Sequence, residues 1–267
     1  YRQVRVAKPV FIVGLPRCGT TLLQRTLARD PACTGFSTLE ALTAGSLVVR
    51  ALLGRAARWD RRLGRPGERL LQRLERSLAT RFAHAHPLGL TEPEEDFLAL
   101  WPVLGCFLQV FWAYRAEPLW ALADFDTAVP AAERDRLLDF WHLCLQKQLY
   151  AHGPGRRLLS KNASFASWRH ALRARYPDAA IVACLRDPAE ALPSQLAAVQ
   201  EPLALFVPAA SRPVVQARLA RVVTGAFEAL LADATPAGPV LVHMADLKSD
   251  LAGTVQGLYR QFGWPAL

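Results

Sequence analysis

An unbroken apolar run, Val10-Phe11-Ile12-Val13, ends at Gly14 and predicts a strand buried on both faces of a parallel sheet. Thr20 or Thr21 then caps a helix through Leu22, Leu23, Leu27 and Ala28, which Asp30-Pro31 closes. From about residue 47 to 152 the periodicity is mainly helical. Between Arg69 and Phe82, Leu70, Leu71, Leu74 and Leu78 share one stripe opposite Arg and Glu. Between Ala131 and Tyr150 the apolar positions are Leu137, Leu138, Trp141, Leu145 and Leu149, and His86-Pro87 through Pro93 reads as a loop between the two helices. Neither a repeat nor a low-complexity linker interrupts the chain. The stretch is therefore a helical elaboration of one domain spanning residues 1–267.

Regular alternation follows. A short strand is expected at Arg157-Leu158-Leu159-Ser160, a helix from about Ser164 to Tyr176, and a turn at Pro177-Asp178. Ala180 to Leu185 reads as a strand, Pro213 to Ala232 as a long helix, and Val240 to His243 as the last strand. A final helix covers Asp250 to Phe262, with Gly263 as its stop. This rhythm predicts an α/β fold: a phosphate-loop-type parallel sheet covered by helices on both faces, with a helical insertion.

One apolar stretch needs a membrane check. Phe97 to Tyr114 runs eighteen residues without a charge, the lower limit for a spanning helix. Pro102, Gly105 and Gln109 interrupt it, and its aromatic residues Phe97, Trp101, Phe107 and Phe111 do not form end belts. A buried helix or pocket wall is expected, and no membrane span.

Composition agrees with a globular chain. At 52% hydrophobic and 21% charged, its 267 residues support a sizeable core. The net charge is +9, carried by arginine; the lysines are Lys8, Lys147, Lys161 and Lys248 alone. Codon bias explains much arginine, yet a basic surface with planar donor forks still favours an anionic ligand. A small molecule rather than nucleic acid is the expected partner. Cys18, Cys33, Cys106, Cys144 and Cys184 are odd in number and lack a C-x-x-C pair, which argues for reduced thiols in the cytoplasm rather than a disulfide framework or zinc site. Numbering opens at Tyr1, so a longer gene product is expected, with no targeting segment visible here.

The candidate chemistry starts at Gly14. The spacing Gly14-x-x-x-x-Gly19 followed by Thr20-Thr21 is that of a phosphate loop, except that Thr20 stands in the place of the lysine. Such a loop turns backbone N–H groups inward beside a helix N-terminus. Nucleotide triphosphatases use the lysine on the outer phosphates and the last Ser/Thr on magnesium. Without it the site suits an anion of lower charge, with Arg17 as the nearest cation. Cys184-Leu185-Arg186 brings an arginine where a metal-holding aspartate would stand, so no metal is expected. Arg186 should emerge at the carboxyl edge of the sheet, where such folds bind ligands, with Ser194 early in the next helix.

Pro16-Arg17-Cys18-Gly19-Thr20-Thr21-Leu22-Leu23 resembles the 5′-phosphosulfate loop of sulfotransferases, usually P-R-S-G-T-T, and lies closest to the bacterial and tyrosylprotein-type branch. Cys18 replaces the common serine, where only the backbone N–H need act. The resemblance continues at Leu159-Ser160-Lys161-Asn162, Tyr176-Pro177-Asp178-Ala179, Leu185-Arg186-Asp187-Pro188 through Ser194, and Val242 to Leu247. It implies sulfuryl transfer from 3′-phosphoadenosine 5′-phosphosulfate to a hydroxyl or amine, leaving adenosine 3′,5′-bisphosphate, with no metal required. It further implies that Arg17, Cys18, Gly19, Thr20 and Thr21 hold the phosphosulfate and that Arg186 and Ser194 clamp the 3′-phosphate. Lys161 would reach the sulfuryl or bridging oxygens. Ala163 stands where the family often has proline, which implies a less rigid loop. Members commonly continue into a segment that helps cover the nucleotide, so closure of the site stays open for a chain numbered to Leu267.

An acceptor hydroxyl needs a base within reach. The resemblance implies Glu40, by its spacing after the first helix and Phe36. Glu92, Glu94, Glu95 and Asp96 form the rival cluster, although acids at a helix start are also ordinary capping residues. His84 and His86 read as loop histidines. The stretch from Phe97 to Trp120 sits where family members shape the acceptor pocket, which implies a lipophilic or aromatic acceptor. A small-molecule kinase, a non-catalytic nucleotide-binding protein and a basic peripheral membrane module stay as competing classes.

Overall fold

Strand β1 (Val10–Gly14) is buried at every residue and has a parallel neighbour on each side. With β2 (Cys33–Thr34), β3 (Arg157–Lys161), β4 (Ala180–Leu185) and β5 (Val240–His243) it forms one parallel sheet of order β2-β3-β1-β4-β5. The computed structural model describes residues 1–81, 89–236 and 238–265, without the side chains of 74–81. Its helices are α1 (Thr20–Leu27), α2 (Thr38–Leu42), α3 (Leu47–Arg62), α4 (Pro66–Arg81), α5 (Glu117–Ala121), α6 (Phe125–Ala128), α7 (Ala131–His152), α8 (Arg169–Arg175), α9 (Pro188–Ala198), α10 (Gln200–Phe206), α11 (Arg212–Ala232), α12 (Met244–Ser249) and α13 (Leu251–Gln261).

Alternation along β1 divides the core. Val10 and Ile12 pack with Leu23 and Leu27 of α1 and Val255 and Leu258 of α13. Phe11 and Val13 face the opposite layer, where the Phe11 ring lies 5.6 Å from that of Trp141 on α7. Trp141 is fully buried, and truncating it to alanine should cost about 3–5 kcal/mol. Because β3 and β4 flank β1, the carboxyl ends of all three strands meet at one edge. That edge carries Lys161, Gly14 and Arg186.

The expected strands and long helices are present, with local differences. Gly19, not Thr20 or Thr21, occupies the N-cap of α1; its φ of 88° is a conformation that glycine adopts without cost, and no side chain caps the helix. The single helix expected from Ser164 to Tyr176 is a 3₁₀ turn, Ala163–Trp168, followed by α8. Strand β2 and helices α2, α10 and α12 were not foreseen. Helix α4 starts earlier than expected, at Pro66; Phe82, His84, His86 and the stripe side chains of Leu74 and Leu78 lie outside the described residues.

The uncharged stretch is neither one helix nor a span. It forms two 3₁₀ helices, Asp96–Val103 and Phe107–Phe111, and among the described residues no helix is long and apolar enough to cross a membrane. All five cysteines are buried free thiols.

Candidate active site

The loop after β1 is shaped by close approach. A Cβ on Gly14 would fall 2.3 Å from the Cys184 carbonyl oxygen, so only glycine lets β1 leave the sheet here. The Leu15 N–H donates to that same oxygen at 3.3 Å. Arg17 then takes a left-handed φ of 66°, which costs about 1–3 kcal/mol in a non-glycine residue. A Cβ on Gly19 would sit 2.7 Å from Met244 Sδ. These turns deliver the chain into α1, whose first N–H groups have no intrahelical partner. Gly19, Thr20 and Thr21 line a cavity of about 570 Å³. Cys18 is turned under the loop: its Sγ donates to the Pro16 carbonyl, and burial pushes the thiol up to about 11.

Three cations border the same cavity: Arg17, Lys161 and Arg186. Arg17 Nε donates to Ser194 Oγ at 3.3 Å, and an Arg186 guanidinium nitrogen donates to the Arg17 carbonyl at 3.4 Å. The expected trio of Arg17, Arg186 and Ser194 is thus brought together, with Ser194 in the body of α9 rather than at its start. Arg186 also holds Glu190 at 2.8 Å, a pair whose carboxylate is 61% exposed and so worth little. Beyond Arg186 lies a second cavity of about 470 Å³, bordered by His243, Lys248 and Phe227 and sharing Met244 with the first.

Lys161, at the end of β3, is only 3% exposed. Its Nζ donates to Glu95 at 2.7 Å and lies 3.9 Å from Glu94, and all three side chains line the main cavity. The acids are placed by their backbone: Glu94 N–H donates to the Phe36 carbonyl at 3.0 Å, and Gln24 of α1 donates to the Glu94 carbonyl at 3.2 Å. Glu95 occupies the N-cap position of the following 3₁₀ helix yet makes no side-chain cap. The capping explanation for this acidic cluster therefore does not hold for Glu95.

Asp96 points the other way. It is fully buried, accepting from Ser160 Oγ at 3.0 Å and from Asn162 Nδ2, while Asn162 Oδ1 accepts from the Phe97 N–H at 2.8 Å. Its second oxygen, Oδ2, is buried without a hydrogen-bond partner. Burial dominates these hydrogen bonds and raises the carboxyl to about 7.

Glu40 sits elsewhere. On α2 it closes a capping box with Ser37 and accepts from Arg50 at 2.7 Å, His152 at 3.0 Å and Gln148 at 3.1 Å. Burial works against its ionisation, but the His152 and Ser37 hydrogen bonds and the Arg50 charge win and hold it at about 2. It lines neither cavity.

Most of the remaining cavity lining is apolar, with Ser164, Ser167 and Gln195 as further polar residues. Phe97, Phe107 and Phe111 form one wall, and Leu219, Val222 and Ala226 of α11 form another. The aromatic wall was expected; the α11 wall was not, since its residues lie far along the chain from the loop.

Residues 9–266 match the model of the sulfotransferase family. No curated protein matches the sequence. Among solved structures, the sulfotransferase STF9 of Mycobacterium avium aligns with a TM-score of 0.69 at 17% identity, over 98% of this chain and 65% of that one. The sulfotransferase STF1 of Mycobacterium tuberculosis aligns with a TM-score of 0.60 at 22% identity, over 99% and 69%. The chain thus spans about two thirds of the length of these relatives, and the likeness is one of fold. A family match over nearly its whole length makes this chain, with its parallel sheet and the glycine-bearing loop at that sheet's carboxyl edge, a member of the sulfotransferase family.

Proposed function

We propose that the chain moves a sulfuryl group from 3′-phosphoadenosine 5′-phosphosulfate to the hydroxyl, or amine, of a lipophilic small molecule. One observation carries the reading: Arg17, Lys161, Arg186 and the carboxylates Glu94 and Glu95 border one cavity whose remaining lining is mostly apolar. The donor supplies the sulfuryl group and a stable bisphosphate leaving group. The loop from Arg17 to Thr21 fits its phosphosulfate end, since Gly14 and Gly19 stand where any side chain would collide. Arg186 and Ser194 would hold the 3′-phosphate, with Glu190 giving way, and the second cavity would take the nucleoside.

Sulfuryl transfer depends on alignment and on neutralising the charge that develops. The S–O bond to the acceptor forms as the bond to the bridging phosphate oxygen breaks, that oxygen keeping the electron pair. Lys161 is the cation for it. The acceptor proton passes to a carboxylate, and we assign that role to Glu95 rather than to Glu40. Glu95 is on the cavity wall, whereas Glu40 lines neither cavity and is held at about 2, which makes it a poor proton acceptor. Glu40 then acts through the α2 cap, as support. The aromatic wall and α11 favour an acceptor with an apolar body.

The test is donor-dependent transfer to a panel of alcohols of graded hydrophobicity, in chelator, read as added sulfate mass. Turnover that rises with apolar length supports the reading. Transfer that requires magnesium and ATP instead identifies a kinase.

A further inference from the structure

The helical pair α3 and α4 is the least covered part of the described molecule. No residue of α3 is buried, and from Ala51 to Arg73 nearly every side chain is exposed. The pair is nevertheless built. The Asp60 carboxylate accepts from the N–H groups of Gly67 and Glu68, at 2.6 and 3.0 Å, and so caps α4 across a turn made by Gly64 and Arg65.

The exposed large apolar residues on α3 are Val48, Leu52, Leu53 and Trp59, with Leu63 at its C-cap, and all but Leu53 share one side. Val48, Leu52, Trp59 and Leu63 are 70%, 56%, 63% and 71% exposed. At about 100° per residue they fall within an arc of about 60°. Leu70 and Leu71 continue the apolar surface on α4. Arg55 and Arg62 border this arc on one side, Arg58 and Arg61 lie further round the helix, and the Arg62 guanidinium lies 5.7 Å from the Trp59 ring centre. Between residues 51 and 73 the chain has seven arginines against Asp60 and Glu68. Asp60 is committed to the α4 cap and Glu68 pairs with Arg65 at 3.4 Å. A strongly basic face therefore flanks a wholly uncovered apolar stripe.

We propose that this hairpin lies in the surface of an anionic lipid bilayer, with Val48, Leu52, Trp59 and Leu63 entering the headgroup boundary and the arginines on lipid phosphates. The chemistry selects that occupant. Sixteen residues of α3 are too few to span a bilayer but suit an interfacial helix, and arginines flanking a Trp- and Leu-bearing stripe complement acidic headgroups. The inference does not rest on the transfer reaction; among its described residues the hairpin contributes none to either cavity.

Co-sedimentation of the full chain with phosphatidylglycerol–phosphatidylcholine vesicles tests it, with pure phosphatidylcholine vesicles as control. The chain should pellet with the anionic vesicles and release as salt rises. Replacing Leu52, Trp59 and Leu63 together by glutamate should abolish binding. Replacing Arg58, Arg61 and Arg62 by serine should weaken it on the order of a hundredfold. All these positions are exposed, and unchanged far-ultraviolet circular dichroism checks that the variants fold. Absence of anionic-vesicle binding overturns the proposal, as does equal binding by the variants. A dimer dissolved by the glutamate variant, or binding to duplex nucleic acid alone, would instead give the surface to a second copy or to nucleic acid.

Discussion

Lys161 and Glu95 meet at 2.7 Å on the wall of the cavity, and their sequence neighbours meet on the other side of the same strand. Ser160 and Asn162 flank Lys161, Asp96 follows Glu95, and these three form a closed, buried hydrogen-bonded cluster. Side chains alternate along an extended strand, so the buried cluster fixes the backbone from which the Lys161 ammonium is aimed. The pair and its support are a single device.

Glu95→Gln and Lys161→Ala should each lower kcat by roughly 10²- to 10⁴-fold, since one removes the proposed proton acceptor and the other the cation proposed for the leaving oxygen. Binding of adenosine 3′,5′-bisphosphate, measured by calorimetry, should change little in Glu95→Gln. Full activity in Glu95→Gln would return the base to another residue.

Glu40→Gln separates support from chemistry. Its folded carboxyl, at about 2, lies below the ordinary 4.5, so it stabilises the fold above about 4.5 and loses that contribution as pH falls toward about 2. The variant should lose about 1–2 kcal/mol at neutral pH and lack this acid limb, with kcat near that of the parent. Denaturant titration across pH and steady-state rates check both parts.

Asp96 has the opposite sign. Its folded carboxyl, at about 7, lies above the ordinary 3.8, so the folded state retains a proton that the unfolded chain has lost. Its contribution is fully favourable below about 3.8 and is lost as pH rises through about 7. Asp96→Asn, which keeps the acceptor for Ser160 and Asn162, should remove that decline, whereas Asp96→Ala should destabilise at every pH. Thermal melts of both variants across this range distinguish the two.

Most of the sheet was legible because its strands are short apolar runs bounded by turn residues, as in Val10–Gly14 and Ala180–Leu185. Strand β2 was not, since two residues have no period and exist as a strand only by pairing with β3. Helix α10 contains Pro202, which blurs the helical signal. At the site, Arg17, Lys161 and Arg186 could be found because each follows a strand that ends at one edge. The bond between Lys161 and Glu95 could not, because it joins residues 66 apart whose approach depends on the whole sheet. The α11 wall is hidden for the same reason: its residues read as ordinary core positions until the fold turns them toward the loop.

The most direct test of the central claim is calorimetric binding of adenosine 3′,5′-bisphosphate, in chelator, to the parent chain and to Arg17→Ala and Arg186→Ala. The account predicts metal-independent binding by the parent and a loss of at least about tenfold in each variant, since each removes a charged partner of a phosphate. No binding by the parent, or undiminished binding by either variant, would contradict it.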